Sequence, residues 1–145
     1  MIQRIQTVYL IIAIVLVALP LSGLEILSYT IKDQDVSKSV YSFHLLEKNE
    51  QEPSYYYLVN IVLSLFGFYT IMSYKNLKKQ LMLSRVFIGL ILFACSMPLI
   101  LAIGRSNLNP GLGFYLFLSS LIFVFLAIRG INKDKKLLDS LNRLR

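Results

Sequence analysis

Few residues in this chain can do chemistry, and they are scattered. There is one histidine, His44, and one cysteine, Cys95. A lone imidazole has no partner at metal-ligating spacing. A single thiol can form neither an internal disulfide nor a multi-thiolate zinc or iron–sulfur site. Nucleophile–base arrangements, phosphate-cradling glycine loops and paired-histidine helices are missing as motifs. No catalytic residue, cofactor or metal is expected, and the chain is not expected to be an enzyme.

The remaining polar candidates lie inside apolar stretches. Asn60, Ser64 and Gly67 follow one another at helical spacing and share one face. Small and amide residues so placed favour close helix packing and interhelical hydrogen bonds. A substrate-contacting polar face is the sharper alternative. Cys95, Ser96 and Pro98 cluster further on. Pro98 withholds a backbone donor from the carbonyl of Ala94, so a helix bend is expected there. No ionisable side chain sits in the middle of any apolar stretch, where it would mark an ion or proton path.

The elements that must position these residues follow from where the charges are not. The chain has 145 residues, 56% hydrophobic and 16% charged, with mean hydropathy +0.63. Ordinary soluble domains are less apolar and about 25% charged. Four stretches carry no charge: Ile5–Leu24, Pro53–Tyr74, Val86–Gly104 and Ser106–Ile128. Each matches the ~20 residues that cross a bilayer as a helix. Lipid cannot satisfy bare backbone groups, so spanning segments of this length must be helical. The alternating ~10-residue segments of a membrane barrel are absent. A soluble bundle of buried helices is disfavoured, because no stretch has a broad polar face. The expected fold is an all-α, four-transmembrane-helix bundle with spans near 5–24, 54–74, 86–104 and 110–128. The first span carries no A-x-A cleavage site, and Pro20 stands where one would fall, so it reads as a retained anchor.

Charge asymmetry sets the orientation. Eleven of the fifteen basic residues lie before the first span, between the second and third, or after the fourth. Arg4, Lys75, Lys78, Lys79, Arg85, Arg129, Lys133 and Lys136 are among them. Positive residues stay cytoplasmic, so both termini and a basic loop at 74–85 are expected inside, with these side chains against headgroups. The net charge of +7 is then a topology signal, and no nucleic-acid partner is expected. Tyr55, Tyr56, Tyr57, Tyr74, Tyr115 and Tyr9 fall near span ends as interfacial anchors. Tyr69 is expected to pack between helices.

Outside the spans, 25–53 is the one sizeable external segment. Ser28–Lys32 and Ser39–His44 are rich in β-branched and aromatic residues around a polar turn, which reads as a small hairpin. Arg105–Gly113 contains Asn-Pro-Gly and reads as a tight turn. The basic tail 129–145 repeats leucine at helical spacing through Leu137, Leu138, Leu141 and Leu144. It either lies in the interface as an amphipathic helix or extends the fourth helix into the cytosol.

The opening decapeptide, Met1-Ile-Gln-Arg-Ile-Gln-Thr-Val-Tyr-Leu10, resembles the start of a family of small four-span bacterial inner-membrane proteins of unknown function. The resemblance implies the same localisation and brings no activity, cofactor or site residue. In this stretch Ile2 and Ile5 are expected at the interface, with Gln3, Arg4 and Gln6 meeting headgroups. The expected role is a structural or accessory subunit, or assembly partner, of a larger membrane complex. Its partners would be the lipid bilayer and other membrane subunits. The alternative is a small oligomeric transporter or channel.

Overall fold

The computed structural model describes residues 5–31, 36–41, 56–101, 103 and 106–143. Helix α1, Ile5–Ala18, is built largely from β-branched and leucine residues. Such residues are middling helix formers in water, and the helix is the form in which a single apolar segment pairs its own backbone groups, as a bilayer would require. Pro20 ends the helix in a 3-10 turn, Leu19–Ser22. The Ser22 hydroxyl donates to the Leu19 carbonyl at 2.7 Å. Gly23, at φ 90°, then turns the chain out, its N–H donating to the Pro20 carbonyl. Only glycine adopts that left-handed conformation without cost.

Strands β1 (Glu25–Ile31) and β2 (Val36–Tyr41) form the expected antiparallel hairpin. Helix α2, Tyr56–Met72, leads through a 3-10 turn, Ser73–Lys75, into helix α3, Leu77–Leu101. Strand β3 is Ser106–Pro110, and helix α4 runs unbroken from Leu112 to Arg143. Together with the 3-10 turns at their ends, the helices give, among the described residues, four segments long and apolar enough to cross a membrane.

The helices form a ring. α1 packs against α2 and α4, and α3 packs against the same two. α1 and α3 are therefore diagonal neighbours. The buried positions alternate steps of three and four residues. On α1 they are Gln6, Leu10, Ala13 and Val17. On α2 they are Asn60, Leu63, Gly67 and Thr70, and on α4 Gly113, Phe117, Ser120, Val124, Ala127 and Ile131. This seven-residue repeat is the seam of left-handed, knobs-into-holes bundles.

Two sequence expectations change, and one open alternative is decided. The segment 74–85 is not a loop: the 3-10 turn and Asn76 make the whole corner, and α3 begins at Leu77. Asn76 caps it, its side-chain oxygen accepting the Lys79 N–H at 3.4 Å and its carbonyl accepting the Gln80 N–H at 2.9 Å. Asparagine is among the best residues at that position. The first turns of α3 are then held by Leu77 and Leu81 packing on Ile131. Second, residues 106–110 are not a turn but a third strand, giving the antiparallel order β2–β1–β3. Strand β1 would otherwise expose an unpaired edge, and the turn chemistry moves to Gly111, whose N–H donates to the Ile26 carbonyl at 3.0 Å. For the tail, left open between two forms, the structure shows a continuous end of α4 up to Arg143.

The sheet caps one end of the bundle. The register shifts between Glu25 and Leu27. Such a bulge re-aims side chains, and here both Ile26 and Leu27 are buried in the core with Val17 and Phe117. The opposite end, where α1 and α3 begin and Arg129 stands on α4, is the basic end.

Candidate functional site

The face expected to bear a polar site on α2 divides on inspection. The Ser64 hydroxyl donates to the Asn60 carbonyl of its own helix at 2.9 Å. Asn60 is buried. Gly67 is where three helices meet. A Cβ placed on it would stand 2.6 Å from Ile14 Cγ1 and 3.0 Å from Phe87 Cζ, so α1 and α3 occupy the space any side chain would need. Phe66 and Phe87 add a tilted ring pair with centroids 6.2 Å apart. Pro98 lies buried inside α3, which continues unbroken to Leu101. Cys95 is buried and free.

The basic residues gather as the charge pattern suggests, apart from Arg4, which lies outside the described residues. Lys75, Lys78, Lys79 and Arg85 are exposed around the start of α3. Arg129, Lys133 and Lys136 are exposed along one column of α4 and line a shallow groove with Asn132. Tyr69 does not pack between helices; it is half exposed, with the Lys79 ammonium 5.2 Å above its ring. That cation–π contact fits a tyrosine at a charged interface. Between α3 and α4 an outward-facing groove is lined by Ile88, Leu92, Leu121, Ile122 and Phe125, with no polar group. Among the described residues no cluster of His, Cys, Asp or Glu could hold a metal ion.

Most of the buried polar residues that sequence reasoning missed lie on the seam toward the basic end, Ser120 on α4 being the exception. Gln6 is 2% exposed, and Gln80, Thr70 and Ser84 are fully buried. Gln6 therefore does not meet headgroups. Its Cβ lies against α4 at Gly130, where an added Cβ would come within 3.2 Å. The Thr70 hydroxyl donates to the Phe66 carbonyl, and the Ser84 hydroxyl to the Gln80 carbonyl, both at 2.9 Å. Neither amide atom of Gln6 or of Gln80 has a hydrogen-bond partner. The signal for this layer was the heptad phase: Leu77, Gln80, Ser84, Phe87, Ile91 and Ala94 fall on one stripe.

Among the described residues, four helices long and apolar enough to cross a membrane, capped by a small sheet, give an architecture compatible with a multi-pass membrane protein. More particularly, the chain belongs to a family described as a domain of unknown function (DUF4293), whose model matches residues 2–144. No curated protein matches it.

Proposed function

We propose that the chain is a non-enzymatic accessory or structural subunit of a larger complex in the bacterial inner membrane, with both termini cytoplasmic. The observation that carries this reading is the far end of α4. Gly130 is level with Gln6 near the start of α1, yet the helix runs on to Arg143, about 20 Å further at 1.5 Å per residue. On this projecting part Leu137 and Leu138 are 55% and 47% exposed, beside the column of Arg129, Lys133 and Lys136. Exposed leucines on a rigid helix that runs on past the start of α1 ask for cover. An amphipathic helix presented to water is a recurring recognition element, and its basic column selects a partner with an acidic cytosolic face. A second copy of the same helix would bring like charges together.

The transporter reading draws on the Asn60–Ser64–Gly67 face, where Ile14 and Phe87 fill the space beside Gly67. The subunit reading predicts that the tagged full chain, extracted in mild detergent, carries foreign subunits in stoichiometric amount by mass spectrometry. Charge reversal with Lys133→Glu and Lys136→Glu should release them. Recovery of a pure homo-oligomer would overturn the proposal.

A further inference from the structure

Two buried amides on diagonal helices remain unexplained by packing. Gln6 and Gln80 occupy seam positions of α1 and α3, at 2% and 0% exposure. In a ring of four helices, seam residues of diagonal helices point toward the common axis. Their heights agree by two routes. Gly67 contacts both Ile14 and Phe87, which fixes α1 and α3 at one level. From there Gln6 lies about 12 Å and Gln80 about 10 Å toward the basic end, at 1.5 Å per residue. Independently, Gln6 abuts Gly130 of α4, and the neighbouring Ile131 clusters with Leu77 and Leu81, the residues that flank Gln80. The two side chains thus converge on one layer from opposite sides of the axis.

All four amide heteroatoms in this layer lack a hydrogen-bond partner. Buried polar groups are rarely left so, and each orphaned donor or acceptor is expensive. Ser84 sits one turn above Gln80, and its hydroxyl oxygen, having donated to the Gln80 carbonyl, still has acceptor capacity. The seam residues next along these helices include Leu10, Leu77, Leu81 and Ile131, all buried and apolar, and the hydroxyl proton of buried Thr70 is already donated to the Phe66 carbonyl. We infer that Gln6 and Gln80 share a water-binding site on the bundle axis, one or two buried water molecules bridging the two amides and closing the basic end of the core. Water fits because it both donates and accepts, and a buried water takes two to four such partners. Both glutamines are shut off from solvent, which suits a guest as small as water.

The test uses the full chain in phospholipid nanodiscs, comparing wild type, Gln6→Leu, Gln80→Leu and the double variant. Radiolytic hydroxyl labelling read by mass spectrometry detects side chains beside ordered water even when they are buried. Ile131 should be labelled in the wild type, and its labelling should fall several-fold in the double variant, while Phe117 in the dry core stays unchanged. Thermal midpoints supply the second arm: each single variant should lower the midpoint, and the double should lose clearly less than the sum. Ile131 labelling unchanged by the double variant would overturn the proposal. So would strictly additive midpoints. Non-additive midpoints with no Ile131 labelling in the wild type would mean direct amide–amide bonding, which overturns it as well.

Discussion

Substituting Gly67 by alanine tests the packing most directly. The new methyl would stand 2.6 Å from Ile14 Cγ1 and 3.0 Å from Phe87 Cζ, both inside ordinary contact distance. Ile14 Cγ1 is the near part of a branched side chain, so it cannot swing clear without moving α1. Overpacking of this kind costs about 1–3 kcal/mol. The gain in helix propensity from glycine to alanine returns up to about 1 kcal/mol. A contact as tight as 2.6 Å falls in the upper part of that range, so a net loss of about 1–2 kcal/mol is expected, a factor of roughly 5–30 in the folded-to-unfolded ratio. Reversible unfolding in mixed micelles or steric trapping in bicelles measures it. Gly89 is the control, because an added Cβ there meets nothing within 4 Å; Gly89→Ala should be neutral or slightly stabilising. Ile14→Ala should relieve the clash, so that Gly67→Ala costs much less in that background. If Gly67→Ala is as stable as wild type, or if its cost is the same with Ile14 removed, the three-helix contact is wrong.

Other outcomes follow from the ends of the helices. Asn76→Ala should remove the cap of α3 and cost about 1 kcal/mol, with hydrogen exchange rising over residues 77–80 and not at the sheet end. Gly111→Ala would drive a Cβ into the Glu25 carbonyl; backbone cannot yield as a side chain does, so β3 should detach from β1, seen as faster exchange at Ile26–Thr30. In a Cys95→Ser background, single cysteines introduced at 32–50 should react with an impermeant maleimide in intact spheroplasts, and cysteines at 133–140 only after lysis. The reverse pattern would invert the proposed topology.

The helices were legible because hydrocarbon and charge exclude each other, so absent charge marks the apolar segments. The hairpin was legible because β-branched residues flank a polar turn. Strand β3 was not: Asn107, Asn109 and Pro110 are poor strand formers, and their extended state is imposed by the edge of β1, which the local sequence does not contain. The early start of α3 was hidden because Lys78, Lys79 and Arg85 read as a loop, although lysine and arginine are good helix formers once Asn76 caps the turn. Gln6 and Gln80 were hidden for a related reason. Each sits among basic neighbours in sequence, as water-facing amides do, and only the phase shared with Leu10 or Phe87 turns it inward.

The sheet joins distant stretches of chain. The Ser28 hydroxyl donates to the Asn109 carbonyl across 81 positions. A ribosome therefore delivers the first hairpin long before the strand that completes it. Until the third helix is in place and its following strand emerges, one flank of β1 waits with its donors and acceptors open. Synthesis order thus leaves an interval in which this edge is available to a chaperone or to mispairing, and the arrival of β3, just ahead of the last helix, both finishes the sheet and ends that exposure.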